Sequence, residues 1–523
     1  MTSSAPRYLS LLKPSTSLSS LPGSFSQDTL ASKLKLAQPD LLRYTNFVDG
    51  SWVTPSREDE GVNFEIRDPA SNDVIAYAPD LNAEEVNEVI KVADSVRKEW
   101  AQTTAKHRSD LLRKLNDLMI LHQEDLAKII TIENGKPLAD ARGEIAYGAS
   151  FVDWFSAEAV RSYGDTIPSA TPGLRNIVIK QPVGVCSILA CWNFPNAMIT
   201  RKIAPALAAG CPVVVKAPPE TPLSALAMAR LVELAGFPKG VVNIITTDKN
   251  TKDVGKAMTE NPLVRKVSFT GSSPVGKILM SQASSTLKKC SFELGGNAVF
   301  AVFEDADLQK AVEGLIQCKF RLSGQTCVCC NRIYIHESVY DEFSKLFIEA
   351  VSKFKIGSGL DSSVTHGPVI HSRALAKVQS HIDDAVSKGA RIALGGHPLK
   401  ELGPHFYAPT VLLDVPLDGT LMSKEETFGP VAGLMKFSSE EQLIEKANDT
   451  EFGLAGYFYT KDISRAFRVS EAIECGMLGI NTGLISQAAI PFGGIKESGF
   501  GREGSKYGMA EYEVTKFLAL SIS

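Results

Sequence analysis

Apolar positions recur at helical spacing soon after residue 80. Val86, Val89, Ile90, Ala93 and Trp100 follow a candidate N-cap at Asn82, and Leu111, Leu112, Leu115, Leu118 and Met119 repeat the pattern one segment later. Spacings of three and four put each set on one helix face. Beyond residue 183 the pattern changes. Short strand-like runs, "GVCSILA", "PVVVKA", "VVNIIT" and "KVSFT", alternate with helical stretches near 200–209, near 222–235 and from Pro274 onward. Strands alternating with helices predict parallel βαβ units and a doubly wound α/β sheet. A second alternating region starts at "NAVFAVF" and runs to about 494. The end, "KYGMAEYEVTKFLALSIS", reads as a short helix and a strand with no evident partner.

The first 44 residues break this pattern. They are rich in Ser, Leu and Pro, and carry Arg7, Lys13, Lys33, Lys35 and Arg43 against Asp28 and Asp40. Pro14 and Pro22 interrupt any helix, and arginines are few for a mitochondrial transit peptide. A disordered arm is expected over 1–44, with the cytoplasm favoured over the mitochondrial matrix. At 523 residues the chain exceeds what one core organises, so two or three domains are expected. Apolar content of 44% and charged content of 22% are those of a soluble globular protein. The net charge of −4 gives no reason to expect nucleic acid or an acidic membrane as partner. No apolar run reaches the roughly 18 residues of a membrane span. Nine scattered cysteines, an odd count, argue for reduced thiols inside a cell rather than a disulfide framework.

Candidate chemistry concentrates in a few stretches. "CKFRLSGQTCVCC", residues 318–330, puts Cys327, Cys329 and Cys330 within four residues. Cys327 and Cys330 form one C-x-x-C, but structural zinc needs four ligands, and no second C-x-x-C or close His pair exists. The preceding helix, with Val312, Leu315 and Ile316 at core spacing, is expected to end near Ser323-Gly324. A tight turn then presents Cys327 to a cleft, while a buried structural thiol stays open for one or two of the three. "SFTGSSPVGKIL" matches most of a phosphate-cradling loop at Gly271-x-x-x-x-Gly276-Lys277. Ile278 stands where a magnesium-binding Ser or Thr is needed, which disfavours nucleoside triphosphate hydrolysis; a helix N-terminus with small residues still suits a pyrophosphate. Glu293 in "SFELGGNAVF" is either a general base in apolar surroundings or an edge-strand residue facing water. Asn193 in "ACWNFPNAMITRK" is either an oxyanion donor or a turn residue.

Together these pieces resemble the aldehyde dehydrogenase superfamily. The match covers the chain after about residue 45, through "WNFP", "FTGS", "FELGGN", "GQTC", "EETFGP", "NDTEFGLA" and "PFGGIKESGFGREG" in family order. "WNFPNAMITRK", "CKFRLSGQTCVC", "NTGLIS" and "GREGSKYG" are similar to succinate-semialdehyde dehydrogenases, the fungal type above all. The resemblance implies an NAD(P)-binding domain over 45–160 and 184–295 and a catalytic domain over 296–494. It also implies a small bridging β-sheet from 161–183 and 495–523, which would support a homodimer or homotetramer.

The resemblance makes Cys327 the nucleophile, Glu293 the base, and Asn193 with the Cys327 N–H the oxyanion donors. Coenzyme contacts fall on Trp192, Lys216, Gly271, Ser272, Glu426 and Phe428. Arg201, Arg321 and Ser486 would take the distal carboxylate of a short ω-oxo acid, a pairing that guanidinium geometry suits. Pro219 stands three residues after Lys216, where many NAD-dependent members carry Glu. That departure predicts use of both NAD and NADP, with NADP preferred; no metal is expected, because the cysteine stretch lacks a four-ligand set. The implied reaction is oxidation of succinic semialdehyde to succinate, the last step of 4-aminobutyrate breakdown. Glutaric semialdehyde is the alternative substrate, and a catalytically silent binding protein the alternative class. Cys329 is the implied redox partner of Cys327.

Overall fold

The computed structural model describes residues 9–15, 27–57 and 61–522. Asn82 does cap the helix Ala83–Gln102. Its side chain accepts from the Glu85 N–H at 3.0 Å, and the Glu85 carboxylate accepts from the Asn82 N–H at 2.8 Å. Two donors that a helix start leaves without partners are thereby satisfied. The apolar face read from the sequence is buried, from Val86 to Trp100. The helices Ala105–Leu121, Gln123–Asn134 and Leu138–Glu158 follow, and together with Ala197–Ala209 they cover one side of the first sheet.

That sheet has nine strands. Its five central ones are parallel, in the spatial order Val242–Ile245, Val213–Lys216, Val185–Leu189, Val264–Thr270 and Lys289–Glu293. The chain starts at Val185–Leu189, steps outward twice, then returns to the other side at Val264–Thr270. Such a reversal opens a crevice beyond the carboxyl ends of the two middle strands. Trp192 and Asn193 follow the first of these strands, Gly271 and Ser272 the second, and Glu293 ends the strand beside it.

The second sheet has seven strands. Six are parallel, ordered Thr410–Leu413, Val431–Phe437, Cys330–His336, Ala298–Val302, Ala455–Tyr459 and Met477–Ile480, with Arg391–Leu394 antiparallel at one edge. The four residues 294–297 carry the chain from one sheet to the other. Gly499–Phe500 returns to pair with Lys289–Glu293, so the first sheet ends on a segment from the C-terminal part.

Two expectations need correcting. The arm is not structureless where it is described. Leu12–Pro14 pairs with Ser51–Pro55 as the outermost strand of the first sheet, and the helix Gln27–Leu34 buries Leu30, Ala31 and Leu34. Pro14 fits because an edge strand leaves one side of its backbone unpaired. Residues 1–8 and 16–26 of the expected arm lie outside the described residues. The C-terminal strand also has a partner within the chain: Glu513–Ser521 pairs along its whole length with Leu174–Pro182, which in turn pairs with Asp165–Ile167.

Candidate active site

The helix Leu308–Lys319 ends earlier than its apolar spacing suggests. A single tight turn, Arg321–Gly324, follows, in which Leu322, Ser323 and Gly324 all have positive φ, at 51°, 52° and 77°. At Gly324 a Cβ would lie 2.1 Å from the Gly429 carbonyl oxygen, so glycine is required by space as well as by φ. Gln325 holds the far side of the turn. Its Nε2 donates to the Leu322 carbonyl at 3.2 Å, and its Oε1 accepts from the Ile370 N–H at 2.9 Å. The turn sets Cys327 at the junction of two cavities, whose linings both include it.

The first cavity, of about 560 Å³, is lined by Arg201, Arg321, Ser486, Tyr147, Phe194 and Phe492, among others. The second, of about 340 Å³, is lined by Trp192, Asn193, Thr270, Gly271, Ser272, Glu426 and Phe428. The residues expected to handle substrate thus gather on one side of the thiol, and most of the expected coenzyme residues gather on the other. Lys216 is the exception. It ends its strand just outside the second cavity, with Nζ donating to the Ala217 carbonyl at 3.2 Å. A neighbouring cleft of about 270 Å³ is lined by Pro219, Glu220, Asp248 and Arg373. Burial depresses the Lys216 ammonium's pKa, while Glu220 and Asp248 oppose that shift. Position 219 lacks a carboxylate, yet Glu220 reaches the field of Lys216 from one residue further on.

Asn193 is buried. Its Nδ2 donates to the Gln325 carbonyl at 3.2 Å, which ties the Trp192–Asn193 loop to the turn that carries the thiol. A second Nδ2 hydrogen is left to meet an oxyanion. Sequence reasoning missed the support beneath this loop. Lys136 Nζ donates to the Asn193 carbonyl at 2.8 Å and pairs with Glu144, whose other oxygen accepts from the Asn196 N–H at 2.8 Å. Asn134 donates to the Trp192 carbonyl at 2.9 Å. The signal available was the pair of charges in "NGKPLADARGE", Lys136 just before a helix rich in buried residues and Glu144 within it.

Glu293 is buried rather than facing water. Loss of solvent pushes its pKa up to about 8, against the pull of Arg201, whose Nη2 lies 3.2 Å from Oε1. Its Oε2 has no hydrogen-bond partner among the described residues. Arg201 is itself fully buried and also paired with Glu503, which takes Lys202 as well. Arg201 therefore lines the cavity but is already engaged by two carboxylates. Arg321 is different: half-buried, it lies 5.0 Å over the Phe194 ring and has no ion pair among the described residues. The Cys327 thiol is pushed well up, first by burial and then by the charge of Glu293, with Arg201 opposing.

The lining of the second cavity suits part of a dinucleotide, with Lys216 outside it. Ser272 caps the helix Ser273–Ala283 without a side-chain capping bond, which leaves N-terminal amides open to an anion. Thr270 Oγ1 is buried without a partner among the described residues. Glu426 accepts from the Gly296 N–H at 3.2 Å, and burial pushes its pKa up to about 7. Phe428, at positive φ, sets its ring edge-on to Trp192, with centroids 5.6 Å apart. The phosphate-loop reading of Gly271–Lys277 goes no further, since Lys277 turns out to Glu497 at 2.7 Å. Among the described residues no group of three or more His, Cys, Asp or Glu could hold a metal ion.

Cys329 does not touch Cys327. It is buried, and its Sγ donates to the Lys319 carbonyl at 3.3 Å. Cys330, unassigned by the sequence, faces Cys318.

A thiol between a substrate-sized cavity and a dinucleotide crevice, with a buried carboxylate beside it, is the arrangement of a cysteine-dependent aldehyde oxidoreductase. The chain belongs to the Aldehyde dehydrogenase family, whose family model matches residues 52–518. It is 53% identical over 489 residues to the NADP(+) succinate-semialdehyde dehydrogenase of Saccharomyces cerevisiae, covering 94% of this chain and 97% of the relative. It is 52% identical to a glutarate-semialdehyde dehydrogenase of Pseudomonas aeruginosa, covering 93% and 99% of the two chains. Among solved structures, the succinate-semialdehyde dehydrogenase of Burkholderia pseudomallei has a TM-score of 0.90 at 51% identity, covering 93% of this chain and all of that one (100%).

Proposed function

We propose that this chain oxidises succinic semialdehyde to succinate, with NADP preferred over NAD. The observation that carries the reading is the position of Cys327 between two cavities, with the guanidinium of Arg321, which has no ion pair among the described residues, in one and the helix start at Ser272 in the other. Succinate- and glutarate-semialdehyde dehydrogenases among the relatives support a short aldehyde carrying a second carboxylate.

Arg321, with Ser486, holds the distal carboxylate and brings the carbonyl carbon to Cys327 Sγ. Glu293 takes the thiol proton as sulfur adds, giving a thiohemiacetal whose oxyanion meets Asn193 Nδ2 and the Cys327 N–H. The nicotinamide coenzyme, when bound, supplies the hydride acceptor. Lys216, Ser272, Glu426 and Phe428 would hold it, with Trp192 and Gly271 shaping the crevice. Glu293, after passing that proton to solvent, then activates as a carboxylate the water that releases the acid from the thioester on Cys327. Arg201 keeps Glu293 within reach and adds positive charge to the floor of the substrate cavity.

Two further parts of the reading concern assembly and location. The three-stranded sheet bears exposed Val514, Leu518 and Leu520, which suit docking of a second copy to give a dimer or tetramer. Nine free thiols suit a reducing compartment, with the cytoplasm ahead of the mitochondrial matrix.

Steady-state kinetics on a panel of aldehydes with both coenzymes test the proposal. The highest kcat/KM is expected for succinic semialdehyde with NADP. Glutaric semialdehyde, one methylene longer, should follow within roughly tenfold, because a methylene is worth only about 1 kcal/mol. A preference for uncharged aldehydes, or a hundredfold preference for NAD, would refute the respective part.

A further inference from the structure

The turn that presents Cys327 is anchored at both ends by cysteine. Cys318 lies at the end of the helix Leu308–Lys319 and Cys330 opens the strand Cys330–His336. Their Sγ atoms are 3.2 Å apart in a buried setting. No bond joins them, since a disulfide requires about 2.05 Å. Closing that gap asks for a little over 1 Å of movement. Between the two cysteines lie Arg321, the left-handed turn, Gln325 and Cys327.

We propose that Cys318 and Cys330 form a second thiol site, oxidised by hydrogen peroxide to a disulfide that staples the catalytic turn. Cys318 lines the 560 Å³ cavity, so a small oxidant reaches it by the route the aldehyde uses. Cys330 is fully buried behind it and does not line that cavity. The first step converts the Cys318 thiol and peroxide to a sulfenic acid and water. In the second, Cys330 sulfur displaces the sulfenic hydroxyl, which leaves as water, and the S–S bond forms. Two thiols lose two electrons, and one peroxide becomes two waters.

The alternative pair, Cys327 with Cys329, lacks this contact. Cys329 Sγ is directed at the Lys319 carbonyl, at the end of the same helix. The new bond draws the helix end toward the strand. Arg321 and Cys327, held between them, leave the places that the two cavities require. Activity falls with any aldehyde, so the inference does not depend on which aldehyde is physiological.

The test starts from fully reduced, full-length protein exposed to graded hydrogen peroxide, then alkylated and mapped by mass spectrometry. Activity is read before and after dithiothreitol. A peptide pair joined through Cys318 and Cys330 is expected, with activity lowered by roughly tenfold and restored by the reductant. Cys330→Ala is expected to keep its starting activity within about twofold and to lose the reductant-reversible part of the inactivation. Absence of the Cys318–Cys330 peptide, whatever other disulfide forms, overturns the proposal, as does unchanged reversible inactivation in Cys330→Ala. Should that variant fail to fold, Cys330→Ser replaces it, and the map of the unaltered protein decides by itself.

Discussion

Two guanidiniums line the substrate cavity, and their partners separate their roles. Arg201 is held by Glu293 and Glu503, whereas Arg321 has no acid among the described residues. A charge-assisted hydrogen bond contributes about 1.5–3 kcal/mol, so Arg321→Ala is expected to raise KM for succinic semialdehyde roughly 10- to 100-fold. KM for an uncharged aldehyde of equal length should change by less than about twofold. Equal losses on both substrates would show that Arg321 only shapes the turn. Glu293 yields a pH prediction. Burial pushes its pKa up to about 8, and a general base works as the carboxylate. Acid release should therefore rise with pH up to about 8 and level off above it, because below that value most of the group is protonated. The check is kcat across pH, with Glu293→Gln removing the rise along with most of the activity. A flat profile through neutrality would mean that another group carries the step.

Elements differ in how much of their cause is local. The helix Ala83–Gln102 was legible in sequence because its cap and its apolar face lie within twenty residues of each other. Asn82→Ala removes one capping bond of a reciprocal pair and is expected to cost about 1 kcal/mol. Thermal unfolding should show it as a fall in Tm of about 1–3 °C, with Asn82→Asp close to the parent. An unchanged Tm in Asn82→Ala would place the helix start's stability elsewhere. The strand Leu12–Pro14 was not legible. Its anchors are remote: the Glu88 carboxylate accepts from the Ser10 and Leu11 N–H groups at 3.3 and 2.9 Å. Asp125 does the same for Ala37 and Gln38, at 3.0 and 2.7 Å. Composition suggested disorder because it counts residues, and these contacts depend on which distant carboxylate is near. The site divides the same way. Cys327, Glu293 and Asn193 stand in quotable motifs, while the Lys136–Glu144 pair beneath Asn193 joins helix and loop segments with no motif of its own.

At the scale of the whole molecule, three sheets meet the problem of exposed edges differently. The first is closed at its ends by short strands, Leu12–Pro14 and Gly499–Phe500, and the second carries the charged antiparallel Arg391–Leu394. The third leaves a nine-residue strand, Glu513–Ser521, open along one side, with Leu518 38% and Leu520 53% exposed. A long apolar edge of this kind promotes association unless something covers it. Val514, Leu518 and Leu520 lie on one face of the strand, with exposed Lys516 between the first two, while Phe517 is exposed on the other face. A second copy offers the same strand and can cover it with twofold symmetry. The double substitution Leu518→Glu with Leu520→Glu places like charges on both copies at such a contact, at a cost of several kcal/mol. Its native mass, read by light scattering, is expected to fall to a smaller assembly or a single chain. The catalytic turn leads into a strand of the second sheet, away from this edge in the chain's topology, so the isolated chain should keep its fold by circular dichroism. An unchanged native mass would assign the assembly to a different face.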